Sequence, residues 1–241
     1  MLSGTGRRGL RHLVPPEHSE MLGLGRIFAL RVARARLLRR PMKSVFRRIA
    51  KHRSPESLSV LELFARIGDY HTIEYARQVR TLELWEIEPA FAQILRKRFP
   101  AATVRTVDTY EQLHASARQF DVVVGDAPIS EHGGQYEDFG IFPRVFSWLV
   151  DTAFVIIDII PFVTAAARLA FPTAFTDDHM RARSAFYQTD RPEDISLEAM
   201  IERYRALCDA AGWTVFDILV EPRNKVMSYL LLALRRRDYC A

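Results

Sequence analysis

Apolar and polar positions change rhythm near residue 56. Beyond it, short apolar runs alternate with stretches of helical period. The runs predict strands over residues 59–64, 81–87, 102–107, 120–125 and 153–160, with two more over 213–220 and 226–234. Helices are expected over 72–78, 90–99, 110–118, 139–150 and 196–211, the last with Glu198 and Glu202 supplying early negative charge. The Val122-Val123-Val124 run has no polar face, which fits a strand buried on both sides. Strands that alternate with helices imply an α/β fold, a doubly wound and mostly parallel sheet covered on both faces. The turn-rich residues 221–225 join the last two strands as a C-terminal antiparallel hairpin. Residues 171–190 read as a polar insertion spotted with aromatics, in which Phe186 and Tyr187 cap a pocket or pack as a lid.

Upstream of residue 56 the texture differs. Residues 1–20 are rich in Gly, Arg and Pro and read as disordered, while 22–40 have helical propensity with arginines on every side. After Pro41, Met42, Val45, Phe46 and Ile49 form a helical stripe, and Lys43, Arg47, Arg48 and Lys51 face elsewhere. Residues 1–55 hold fourteen Arg and Lys against Glu17 and Glu20, a net +12, whereas the rest carries 20 basic and 27 acidic side chains, a net −7. The expected division is therefore a basic arm, 1–55, and a domain, 56–241. The arm has two readings. Its stripe can lie in an anionic membrane surface through residues 22–52, or it can pack on the domain's own helices. Nucleic acid is the weaker partner, because Phe28 and Phe46 are the arm's only aromatics and the body is acidic. An organelle transit segment is disfavoured by Glu17 and Glu20.

Two cysteines, Cys208 and Cys240, cannot build a disulfide framework or a four-cysteine zinc site, and they suit a reducing compartment. The most apolar stretch, 153–170, contains Asp158 and Pro161, so it reads as a core strand and a helix rather than a membrane span. The expected location is cytoplasmic, peripheral at the inner membrane surface if the arm attaches there.

In open α/β sheets ligands sit beyond the carboxyl ends of the strands. Four successive predicted strand ends carry acids: Glu62, Glu86, Asp108 and Asp126. A generic domain with solvated or helix-capping acids would show the same pattern. The order and spacing, however, resemble the class I S-adenosylmethionine-dependent methyltransferases, whose sheet is Rossmann-like. Residues 62–68 look like that family's first motif, with Glu62, Phe64, Arg66 and Gly68 at its marked positions. Glu86, followed by Ile87, matches the carboxylate that accepts the ribose hydroxyls, and Asp108 the acid that faces the adenine amino group. Asp126-Ala127-Pro128 is similar to the motif that borders the transferred methyl, and Ala210-Ala211-Gly212-Trp213 before the closing hairpin also fits. The resemblance implies S-adenosyl-L-methionine as cofactor.

Two positions depart from the pattern. Arg66 stands where the family has a glycine. Either it obstructs the cofactor, or its guanidinium pairs with the methionine carboxylate. Ile129 replaces the cysteine that RNA cytosine-5 enzymes use as nucleophile, and it offers no aromatic ring for a flipped base. In the polar loop beyond, His132 is the first candidate general base and Asp126 the second; the alternative is that His132 is a surface histidine. Asp177-Asp178-His179 lacks metal-ligand spacing and has Arg181 and Arg183 close by for ion pairs. The expected activity is methyl transfer to a small molecule or glycan, at oxygen. The alternatives are an RNA or protein methyltransferase that holds its target with the arm, and a non-catalytic scaffold.

Overall fold

Runs of Val, Leu and Ile bury most apolar surface where both faces of a strand are covered, and they occupy the middle of the sheet. The computed structural model describes residues 40–69, 71–112, 118–125, 137, 139–161, 163–170, 175–224 and 226–237. Within them, β1 (Ser59–Leu63), β2 (Thr81–Glu86), β3 (Thr103–Thr106), β4 (Phe120–Gly125), β5 (Leu149–Ile159), β6 (Trp213–Pro222) and β7 (Ser228–Arg236) form one sheet. Its order is β3-β2-β1-β4-β5-β7-β6. Neighbours from β3 to β5 run parallel, and β7 lies antiparallel between β5 and β6. The α/β class, the mostly parallel sheet and the terminal hairpin are as the sequence pattern predicts. β1 and β4 are buried throughout, while the edge strands β3 and β6 are largely part-exposed.

One face of the sheet is covered by α1 (Pro41–Ile49), the short α2 (Thr72–Tyr75) and α3 (Pro89–Arg98). α1 and α3 both begin with proline, which needs no donor there, and end in arginines that suit the C-terminal dipole. The short α4 (Thr109–Gln112) follows β3. The other face carries a 3-10 helix over Phe142–Trp148 and α7 (Leu197–Ala210). Ser196 caps α7 by accepting from the Ala199 N–H at 3.1 Å. Between these elements lie α5 (Ala165–Ala170) and α6 (Asp177–Tyr187). Among the described residues no helix is long and apolar enough to cross a membrane.

Three expectations are corrected. First, the body begins at Arg40, not at residue 56. Met42, Val45, Phe46 and Ile49 are at most 1% exposed and join the core with Val60, Tyr75, Val122 and Tyr229. Phe46 stacks on Tyr75 with ring centroids 4.5 Å apart. Arg48 donates two bonds to Asp217 at 2.6 and 2.5 Å, His52 lies 2.7 Å from the same carboxylate, and Arg53 donates to Asp121 at 2.6 Å. The stripe thus has no apolar face to offer a membrane; the rest of the arm, 1–39, lies outside the described residues. Second, 139–150 is not an α-helix. Leu149 already pairs with Phe120 in the sheet, so the chain turns through seven residues of 3-10 helix and enters β5 early. Third, the polar insertion contains α6. Thr176 caps it by accepting from the His179 N–H at 3.3 Å, Asp177 and Asp178 complement its first turn, and Gln188 (φ 55°) ends it.

Candidate functional site

The strand order reverses between β1 and β4, so the loops after these two strands splay apart and leave a crevice at the carboxyl edge. The loop after β1 takes a backbone path that glycines favour: φ is +55° at Phe64, +48° at Arg66 and +64° at Gly68. Two of those three residues carry side chains at a local cost, which local contacts offset. The Ala65 N–H donates to the Trp85 carbonyl at 3.0 Å, the Gly68 N–H to the Ala65 carbonyl at 2.9 Å, and Arg98 Nη1 to the Ile67 carbonyl at 2.9 Å. A Cβ on Gly68 would stand 2.4 Å from the Phe99 ring, so this glycine lets the loop sit down on α3.

Glu86 ends β2 and is 5% exposed. One of its oxygens accepts from the Arg66 N–H at 2.6 Å, the other from the Glu88 N–H at 2.8 Å. A carboxylate has about four lone-pair positions, so each oxygen retains one after these bonds. Beside it Ile87 is 53% exposed, and Tyr110, 42% exposed, has its ring 5.9 Å from that of Phe64. These three side chains make an apolar shelf across the ends of the first three strands. Asp108, half-buried, accepts from the Tyr110 N–H at 2.7 Å and so opens α4.

Glu62 points into the fold. It accepts from Thr72 Oγ1 at 2.7 Å and from the Tyr75 hydroxyl, and His71 Nε2 lies 3.2 Å away. His71 Nδ1 in turn lies 3.3 Å from the Tyr229 hydroxyl of β7. Arg223 sits over the Tyr229 ring at 5.3 Å and donates to Asp158 at 2.5 Å. Glu62, Asp158 and Tyr229 share one face of the sheet, because each follows the same alternation as Val60, Ile156 and Leu231. The result is a buried polar row along the carboxyl edge. Asp69, next to Gly68, differs from all of these: it is 7% exposed, and neither carboxylate oxygen has a hydrogen-bond partner.

No protein-family model matches the chain, and no curated protein matches it. Solved structures do. Magnesium protoporphyrin IX methyltransferase from Synechocystis, solved with S-adenosylhomocysteine bound, aligns at a TM-score of 0.53 and 12% identity over 81% of each chain. The Escherichia coli protein yhhF, named as a methyltransferase, aligns at 0.50 and 16% identity over 83% of this chain and 88% of its own. The fold is that of the class I S-adenosylmethionine-dependent methyltransferases. In this methyltransferase fold the loop after β1 and the end of β2 flank the crevice, and the chain brings Phe64, Arg66, Gly68, Glu86 and Ile87 together there.

Asp126 and His132, with Pro128 and Ile129, lie outside the described residues, which resume at Glu137. Glu137 is fully buried and anchors that end of the loop. Burial pushes its carboxyl up, but the Arg183 guanidinium and His179 override that and hold it below the usual range. Arg183 donates to Glu137, Tyr187 does so at 3.1 Å, and Arg183 also reaches the Pro192 carbonyl at 3.1 Å. Burial, and then the Glu137 charge, raise the Tyr187 phenol well above its ordinary value. Phe186 and Tyr187 belong to the core around Tyr204 rather than to a pocket cap. Asp178 pairs with Arg181, and among the described residues no group of three His, Cys, Asp or Glu side chains could hold a metal.

Sequence reasoning passed over Asp69, His71, Tyr229 and Glu137. Asp158 entered it only as an interruption of an apolar run. The signal for Asp158 and Tyr229 was there, since a two-residue period puts both on the face of Glu62. Nothing in the local sequence marks Asp69 as buried.

Proposed function

We infer that the chain is an S-adenosylmethionine-dependent methyltransferase that acts on a small molecule or glycan, at oxygen. The observation that carries this is Glu86: a buried carboxylate at the end of β2, held by two backbone N–H groups with acceptor positions to spare, beside an exposed apolar shelf. Such a carboxylate suits a ribose diol, and Phe64, Ile87 and Tyr110 suit the faces of an adenine ring. Arg66, fixed by its own N–H to Glu86, brings a guanidinium to the same loop, where it would pair with the cofactor's carboxylate. The orphaned carboxylate of Asp69 adds a demand for a cation there. When bound, S-adenosylmethionine supplies a methyl group on a positively charged sulfur.

The chain's own work is then to bind and orient both reactants, keep water out of the crevice and remove a proton from the acceptor hydroxyl. We assign that proton to His132, with Asp126 as the second choice, since an imidazole near neutrality suits proton transfer from oxygen. A net −7 over residues 56–241 disfavours a polyanionic acceptor.

Calorimetric titration of the full-length protein with S-adenosylhomocysteine tests the reading. Binding is expected, with Glu86→Ala weakening it about tenfold or more, because charge-assisted bonds to two hydroxyls contribute about 1.5–3 kcal/mol each. A wild-type protein that gives no heat at roughly millimolar ligand would leave only the non-catalytic scaffold.

A further inference from the structure

We propose that the outer face of α1 docks on an anionic lipid surface through Arg40, Lys43, Arg47 and Lys51. The fold reverses the sense in which this segment can meet a membrane. Its apolar stripe is spent on the core, with Met42, Val45, Phe46 and Ile49 at most 1% exposed. What remains outside is a row of exposed cations, each three or four residues from the next, the interval that stacks side chains on one helix face. Lys43 and Arg47 belong to α1 itself, and Arg40 directly precedes it. Lys51 follows in a turn whose N–H groups still bond back to α1 carbonyls.

The row has no counter-charge. Arg48, His52 and Arg53 are committed to Asp217 and Asp121, whereas among the described residues none of the four forms an ion pair or a side-chain hydrogen bond. Glu74, whose carboxyl feels the Arg40 charge, accepts from the Lys43 backbone N–H at 3.0 Å instead. Exposed guanidiniums on α6 and α7 differ: Arg181 pairs with Asp178, and Arg205 lies 3.5 Å from Glu202. Residues 40–241 carry 26 basic and 27 acidic side chains, so the row is a local excess and not part of a basic body. Like charges one turn apart repel one another, a cost that an anionic surface removes.

The sequence just before α1 decides which polyanion fits. Residues 22–39 contain five arginines, no acid, and large apolar residues that include Leu24, Ile27, Phe28, Leu30 and Val32. Cations joined to apolar side chains suit a membrane interface, where the first meet headgroups and the second the acyl boundary. RNA asks instead for aromatic platforms. Phe46 is buried against Tyr75, which leaves Phe28 as the one available Phe, Tyr or Trp in residues 1–53. The assignment is independent of what the crevice binds.

The test is co-sedimentation of the full-length protein with vesicles of phosphatidylcholine, with and without phosphatidylserine. Wild type should sediment with the serine-containing vesicles at about 0.05 M salt and be released at about 1 M, where exposed charges are screened beyond about 3 Å. Each cation near such a surface strengthens binding about fivefold, so Lys43→Glu with Arg47→Glu should weaken it about 25-fold or more. Both side chains are exposed, and the double variant should keep the cooperative melt of wild type. The same change of net charge on α6 and α7, Arg181→Glu with Arg205→Glu, should alter binding about threefold at most, because distant charges are screened. No binding by wild type, equal binding to neutral vesicles, or equal losses in the two double variants would each overturn the proposal. So would a uridine oligonucleotide that wild type binds more tightly than the vesicles and that K43E/R47E releases, since the row would then belong to nucleic acid.

Discussion

Deleting residues 1–53 should destroy the fold, whereas deleting 1–39 should leave the body intact. The first deletion removes α1, whose Met42, Val45, Phe46 and Ile49 are at most 1% exposed. Burying an apolar side chain of this size contributes about 1.5–3 kcal/mol, so the four together contribute on the order of 6–12 kcal/mol. A whole domain is stable by only about 5–15 kcal/mol. The deletion also strips Arg48 and His52 from Asp217 and Arg53 from Asp121, and leaves the inner faces of β6 and β7 bare. Urea unfolding followed by circular dichroism distinguishes the cases: residues 40–241 should show a cooperative transition, and 54–241 none. A milder version is Phe46→Ala, which removes the ring stacked on Tyr75. Its cost of about 3–5 kcal/mol should lower the melting temperature by roughly 6–20 °C. A cooperative transition in 54–241 with the midpoint of the longer chain would refute the argument and return α1 to the status of a detachable arm.

Arg66→Gly should stabilise the ligand-free protein by up to about 1 kcal/mol, since φ is +48° there, yet weaken S-adenosylhomocysteine; tighter binding in the titration would mean that Arg66 obstructs the site. Gly68→Ala should destabilise by about 1–3 kcal/mol in thermal melts, because φ is +64° and the new methyl meets the Phe99 ring. Hydrogen bonds from Arg48, helped by His52, lower the Asp217 carboxyl to about 2. A folded value below the unfolded one gives stability that is fully present above about pH 4 and lost as pH falls through about 2. Unfolding curves of wild type and Asp217→Asn should therefore differ at neutral pH and converge in acid. Burial pushes the Cys208 thiol up to about 12, so iodoacetamide at about pH 8 should leave it unmodified, by mass spectrometry, until the protein unfolds.

The parts of this fold that a sequence reveals are those that repeat. Val122, Val123 and Val124 announce a strand covered on both faces, and an acid that ends a strand falls at the carboxyl edge wherever the sheet is parallel; that reasoning puts Glu86 at the edge, while its role comes from the family resemblance. Periodicity also found α1, but a stripe tells which side of a helix is apolar and not what covers it, so Phe46 pointed to a membrane as readily as to Tyr75. The 3-10 helix before β5 was missed because helical spacing over 142–148 does not reveal that Leu149 is already paired with Phe120. α6 could have been found from Thr176 and the two aspartates after it. Glu137 and Arg183 could not, since 46 residues separate two charges that meet only when the core closes. Asp69 looks like any turn residue, and its burial is a property of the surrounding chain.

The seat of α1 has a consequence for how this protein is made. The helix is synthesised well before two of the strands it packs on, β6 and β7, since Arg48 and Asp217 are 169 residues apart. Until those last strands are synthesised, the stripe of Met42, Val45, Phe46 and Ile49 has only part of its cover, Val60, Tyr75 and Val122 but not Tyr229, Leu231 or Ala233, so the nascent chain carries a half-covered apolar helix over that interval. Long-range closure of this kind is slow, and the open interval favours aggregation or capture by chaperones. Yield from expression should accordingly respond more to translation speed and to holding factors than to substitutions on the finished surface.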